Sequence, residues 1–367
     1  MPDPNLICQV RAASGIFDTW LAVAVSYSYQ DTNPIRHFNM TCAEPSAAGV
    51  MKLVPGDRVD VILAGRKVIE DGFIQVRQAG YDANRHAVQI SGLAKAGHIQ
   101  HASADIGQLR SYKFEAIANA VVKKYGVKFR MVNPPPGADL PFPNVISEWG
   151  ETDWEYLTRL ARVRGIRLTC AANGDLIGGV PEGGTRAVLE EGRNIISCNA
   201  YIELPWAQKV LGSAQEAGTD QRFGRLVSET AAEATIPGGP EGLTKRILAE
   251  RPLGTRENQI AVDAYASDIL LATVRVTVTH HGWFKPGTSD LWELGDKVSV
   301  RSPMAFGRVD SQDLRVYTVT CSQTPEGQTT TAVELVSEAA FVQRFPDGQA
   351  GNPFDQTAQK ANAIMPA

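Results

Sequence analysis

The sequence predicts a mainly β protein with a small α/β insert between two related β-domains. Three features lead to that class. Apolar and polar positions alternate up to about Leu93, the period turns helical from about Lys95, and the early pattern returns in the last third. At 367 residues the chain exceeds one compact core and suggests about two to four domains.

The first β-domain is expected over residues 1–94. Phe17 to Tyr29 is apolar, with β-branched and aromatic patches, and PGDRVDVILAGRKVIEDGFIQVRQAGYDANRHAVQISGL alternates between Gly-centred turns. Short strands about a dozen residues apart imply a small barrel or sandwich. The α/β unit follows over 95–184. Tyr112, Phe114, Ile117, Ala118, Val121 and Val122 form a helical stripe after Ser111 that stops near Gly126, and Val127 to Val132 is a short strand. NPPPGADLPFPN, with five prolines, is an extended loop.

In ETDWEYLTRLARVRGIRLTCAANGDL, Thr152 and Glu155 fit a helix capping box, and Glu151, Asp153 and Glu155 suit the positive end of the helix dipole. Leu157, Leu160 and Ala161 make the apolar stripe, Arg162 and Arg164 suit the negative end, and Gly165 stops the helix. Ile166 to Cys170 and Leu176-Ile177 then form a hairpin about Asn173-Gly174.

The second β-domain is expected over 185–345, with an inserted helix at about 257–274 feeding a strand at Arg275 to Thr279. LGDKVSVRSPM echoes PGDRVDVILAG in sharing Gly-Asp-x-Val-x-Val, at Gly56 and Gly295. Each copy is followed by two alternating strands, FIQVR and AVQISG in the first, RVYTVTC and TAVELVS in the second. The repeat implies a duplicated β-domain. Residues 346–367, polar and rich in Gly and Pro, read as a flexible arm that orders against a partner.

Composition narrows the function classes. Thirty-six basic against 40 acidic residues leave a net charge of −4, which argues against gripping phosphates and is compatible with a channel that nucleic acid slides through without sticking. Cys8, Cys42, Cys170, Cys198 and Cys321 are scattered and form no CxxC pair, so neither a disulfide framework nor a zinc ribbon is expected. The start MPDPNLICQVRA lacks the regions of a signal peptide, and the longest apolar run, Trp20 to Val25, is too short to span a bilayer. The expectation is a soluble, unsecreted protein with no membrane insertion.

No constellation for chemistry stands out. His98 and His101 have no nearby acidic or cysteine ligand, and His280 and His281 face opposite ways on a strand. HExxH, GxSxG, Walker A and GxGxxG patterns are absent. The acids at Glu148, Glu151 and Asp153 are the one candidate for a glycan- or peptidoglycan-cleaving pair, against the capping account given above. No catalytic, cofactor-binding or metal residue is assigned.

SEWGETDWEYLTRLARVRGIRLTCAANGDL resembles the E-x-D-W-E-x-L-x-R-L-A-x-x-x-G signature of tail hub proteins in contractile injection machines. These include late control protein D, the type VI secretion spike hub and myophage baseplate hubs. LWELGDKVSVRSPM and LRVYTVTCSQTPEGQTTTAVELVSEAAF look most like the Mu-type hub, and VRAASGIFDTWLAVAVSYSYQDTNPIRHFNMTC fits its first barrel.

The resemblance implies two tube-like β-barrels per chain and a homotrimer presenting a pseudo-sixfold ring. That ring would join the hexameric tail tube, or a tube initiator, to the trimeric central spike. Baseplate wedge proteins are its other implied partners, and DNA only passes in transit. It further implies a place in the virion tail baseplate after synthesis in the bacterial host cytoplasm, and no cofactor. No hydrolase insert is recognised. The competing expectations are a tail-borne wall hydrolase and the hub of a type VI or tailocin-like device.

Overall fold

A computed structural model describes residues 7–29, 34–43, 52–81, 86–105, 107–214, 230–248, 254–307 and 309–342. The arm expected at 346–367 lies outside the described residues.

The first region forms β1 (Cys8–Ala12), β2 (Gly15–Phe17), β3 (Ala22–Ser28), β4 (His37–Ala43), β5 (Arg58–Leu63), β6 (Arg66–Tyr81) and β7 (His86–Leu93). Alternation places Val23, Val25 and Tyr27 of β3 and Phe38, Met40 and Cys42 of β4 in the core. The α/β unit then contributes α1 (Phe114–Val122), β8 (Phe129–Val132), α2 (Asp153–Val163), β9 (Leu168–Cys170) and β10 (Leu176–Gly179). The hairpin at Asn173-Gly174 is as expected, with Gly174 at φ 79°, and β10 also pairs in parallel with β8.

The third region comprises β11 (Ala187–Glu190), β12 (Ser197–Ile202), β13 (Lys209–Ala214), β14 (Thr230–Thr235), β15 (Thr244–Leu248), α3 (Thr255–Thr273), β16 (Val274–His281), β17 (Lys297–Arg301), β18 (Ser311–Gln323) and β19 (Thr329–Ser337). The inserted helix does feed a strand. It also covers a three-stranded sheet, β14-β13-β15, that the sequence reading did not anticipate. Gly212 on β13 makes that packing possible: a Cβ there would lie 2.3 Å from Val262, and Asn258 of α3 donates to the Gly212 carbonyl at 3.1 Å.

The repeat is visible in the hydrogen bonds. Asp57 Oδ2 accepts from the Val54 amide at 2.9 Å, and Asp296 Oδ2 accepts from the Glu293 amide at 2.8 Å. The Gly56 amide donates to Ile74 O and the Gly295 amide to Val316 O, both at 2.9 Å. The Ile74 and Val316 amides donate back to Asp57 O and Asp296 O, both at 3.0 Å. Both glycines sit at positive φ, 96° and 85°. Gly295 is constrained twice over, since a Cβ would also meet Pro181 O at 2.7 Å.

The same register runs across each half. One cross-strand row passes from Arg58 to Phe73, Leu93, His37 and Ser26 on β5-β6-β7-β4-β3. Its counterpart passes from Lys297 to Arg315, Val336, Arg275 and Tyr201 on β17-β18-β19-β16-β12. Register shifts fall at matching places, skipping Gln75 on β6 and Tyr317 on β18. The flanking strands differ: β1 is antiparallel to β5, whereas β11 is parallel to β17.

Among the described strands, no pairing closes either half on itself. The halves instead join edge to edge, β3 against the second part of β18, to give one 13-stranded sheet. Buried arginines tie the three regions together. Arg36 donates to Cys170 O (3.0 Å) and Val68 O (3.2 Å), reaches Glu293 at 3.4 Å, and lies over the Tyr27 ring. Arg167 donates to Ala340 O (2.9 Å) and pairs with Asp268 (3.1 Å). Arg164, expected only to complement a helix dipole, is wholly buried. It binds Leu140 O, Pro141 O and Glu257, stacked on Phe142. It occupies the C-cap position of α2, next to the positive-φ Gly165.

Candidate assembly surface

The acids singled out in the sequence have partners within the fold. Thr152 Oγ1 accepts from the Glu155 amide at 3.2 Å, and Glu155 Oε2 accepts from the Thr152 amide at 2.8 Å, closing the capping box. Glu151 is held by Arg159 at 2.6 and 2.7 Å, and Glu148 lies 3.6 Å from the same guanidinium. Asp153, fully buried, meets Lys124 Nζ at 2.6 Å and accepts from the Tyr125 hydroxyl. Each carboxylate is already committed to a cation or to the backbone, which is a poor arrangement for a general acid and base. A cavity of about 330 Å³ lies against β12, and its one acid, Glu191, accepts from the Ser302 hydroxyl at 2.6 Å.

The histidines offer no ligand set. His280 is buried, accepting from the Trp292 indole at 2.7 Å, and burial pushes its pKa down. His281 is exposed on the other face. His98 stacks on Phe73 at 4.0 Å. Among the described residues no group of three metal-binding side chains occurs, and no helix is long and apolar enough to cross a membrane.

Among the described residues, the structure leaves a pair of sheet edges open. β12 is paired on one side only, with β16. Residues 76–81 of β6 are paired with β7, and no described strand lies on their other edge. Large apolar side chains crowd these edges in an exposed state: Ile196, Tyr201, Ile202, Leu204 and Trp206 along and around β12, and Val76 and Tyr81 on β6. Exposed edges rich in apolar residues are sites of further strand pairing. Two sequence features could have pointed to this surface, the repeat itself and the largely apolar stretch YIELPW, but neither says which strands remain unpaired.

The chain is similar to known tail proteins in sequence and in fold. Residues 96–179 match the family described as baseplate hub protein gp44-like, second domain. Baseplate hub protein gp44 of Escherichia phage Mu is 24% identical over 270 residues; the match spans 73% of this chain and 66% of the relative. The 43 kDa tail protein of prophage MuSo2 from Shewanella oneidensis superposes with a TM-score of 0.76 at 19% identity, covering 91% of this chain and 99% of that one. A tail protein from Neisseria meningitidis MC58 gives 0.74 at 16% identity, covering 92% and 98%. The chain thus has the fold of these phage tail proteins, and it is similar in sequence to the baseplate hub protein gp44 of phage Mu.

Proposed function

We propose that the chain is the structural hub of a phage tail baseplate, without enzymatic activity of its own. Three copies would form a ring in which each contributes two barrel-like halves, residues 1–94 and 185–345, around the α/β unit at 95–184. Six quasi-equivalent halves suit a sixfold tail tube on one face, while the threefold symmetry suits a central spike on the other. Wedge proteins would flank the ring, and DNA would cross its near-neutral channel in transit. The virion tail is the place this reading assigns, after synthesis in the host cytoplasm.

The observation that carries the reading is the duplicated five-strand row with matching bulges inside one chain, because duplication lets a trimer present six similar positions. The commitment of Glu148, Glu151 and Asp153 to Arg159, Lys124 and Tyr125 supports a non-enzymatic role. Sedimentation of the purified chain, with imaging of the particle, tests the reading. A trimer with six lobes and a central hole is expected, and a stable monomer at assembly concentrations overturns it. Deleting residues 346–367 is expected to leave that trimer intact and weaken docking of its partners.

A further inference from the structure

We infer that the free edge of β15 takes an extended, acidic segment of another protein as a fourth strand of the small sheet β14-β13-β15. This edge belongs to the insert between β12 and β16 and is separate from the two edges of the large sheet described above.

Main-chain geometry leaves the edge ready for a strand. β15 runs parallel to β13, with Thr244 opposite Lys209 and Arg246 opposite Leu211. The Lys209 amide donates to Leu243 O at 3.2 Å, so Leu243, Lys245 and Ile247 turn their main-chain groups toward β13. Alternation then directs those of Thr244, Arg246 and Leu248 outward, where no described strand lies. The opposite edge of the sheet differs. There Glu233 of β14 turns outward, and its carbonyl already accepts from Gln259 Nε2 of α3 at 2.9 Å.

The side chains mark the same edge. α3 packs on β13 and β14, whereas the inner face of β15 meets Trp206. Lys245 Nζ lies 5.6 Å from the centre of the indole, which crosses the Tyr265 ring of α3 at 6.4 Å between centroids. Trp206 is 46% exposed, Leu243 48% and Leu248 78%. A strand added to β15 covers Leu248 on one face and reaches Trp206 on the other.

Charge selects the occupant. Lys245 and Arg246 are adjacent, so they project to opposite faces of the strand, and both are exposed. Residues 243–248 contain no acid, whereas Lys209 on the neighbouring strand is paired with Glu233 at 2.6 Å. Cations on an edge repel basic strands and make covering by apolar ones costly, a guard against indiscriminate pairing. A segment with carboxylates at two adjacent positions meets one cation on each face, and such cross-strand pairs of opposite charge are favourable.

Hydrogen–deuterium exchange of the intact chain, read by mass spectrometry over residues 243–248, tests the edge with two probes. These are the peptide acetyl-Thr-Val-Glu-Glu-Val-Thr-amide and its counterpart with Lys-Lys at the centre. The acidic peptide should slow exchange of this segment by about tenfold, and the basic one should leave it unchanged. In Lys245→Glu/Arg246→Glu the preference should reverse, with the circular dichroism and sedimentation of the wild type retained. Arg246→Gln, a milder change at an exposed side chain, should by itself weaken protection by the acidic peptide. Equal protection by both peptides, none by either, or protection of residues 76–81 or 198–202 in place of 243–248 overturns the acidic fourth strand. Altered sedimentation of the folded double variant would make β15 a contact between copies and overturns it too. So does a segment already slow in the chain alone. If dilution releases it, a second copy fills the edge; if not, the chain covers the edge itself. The readout is local to β15 and holds whether or not the chain forms a ring.

Discussion

At the residue scale, the two Gly-Asp turns show how duplicated positions acquire different weight. Asp57, half-buried, accepts one main-chain bond, from Val54. Asp296, its counterpart, is fully buried. It also accepts from the Gly184 amide and pairs with Lys285 Nζ at 2.7 Å, where the lysine is itself 2% exposed. Removing one member of a buried pair leaves an uncompensated charge, which costs about 3–5 kcal/mol, whereas losing one ordinary hydrogen bond costs about 1 kcal/mol. Lys285→Ala should therefore lower the urea unfolding free energy several-fold more than Asp57→Ala; equal losses would refute the assignment. His280 yields a pH dependence. Burial holds its pKa below the ordinary 6.5, so the unfolded chain takes up a proton before the folded one does. Stability from neutral His280 is complete above that value and is lost as pH falls through the depressed folded value. His98, also lowered by burial, adds a term of the same sign. His280→Asn should flatten the fall in urea midpoint between neutral and acidic pH without abolishing it.

At the scale of elements, α2 was the most legible part of the chain, because its signals are local. Thr152 and Glu155 lie three residues apart, and both reciprocal bonds of the box form. Thr152→Ala should cost about 1 kcal/mol in thermal or urea unfolding and leave the oligomer unchanged. A loss of assembly would show that the helix start does more than cap. The hairpin at Gly174 and the helix feeding β16 were readable for the same reason. The β14-β13-β15 sheet was not, because TAAEAT and KVLGSA carry little β-branched or aromatic signal and gain order from α3 above them. The burial of Arg164 and Arg167 is not legible in the sequence for a related reason. Their partners Glu257 and Asp268 lie 93 and 101 positions away, beyond any local pattern. The acids of 148–155 raise the question of catalysis from sequence, and their partners Arg159, Lys124 and Tyr125 appear only in the fold.

At the scale of the whole molecule, the repeat was legible as Gly-Asp-x-Val-x-Val, but its consequence depends on which edges remain free. The internal joint and the open edge are the same kind of strand in two settings, so one substitution at matched positions should separate folding from assembly. Val25 and Ala200 correspond, and the alternation of main-chain groups aims both amides across the joint rather than at β4 or β16. Proline removes an amide donor and is tolerated on an edge strand where that donor faces outward. In a lone chain Ala200 is such a position, whereas Val25 sits between two paired strands and is fully buried. Ala200→Pro should keep the circular dichroism of the wild type and sediment as a monomer. Val25→Pro should lose the fold itself, since it removes a main-chain bond of the joint between the two halves and displaces a buried side chain. An Ala200→Pro protein that still assembles would mean that β12 is an outer edge of the particle rather than the contact between its subunits.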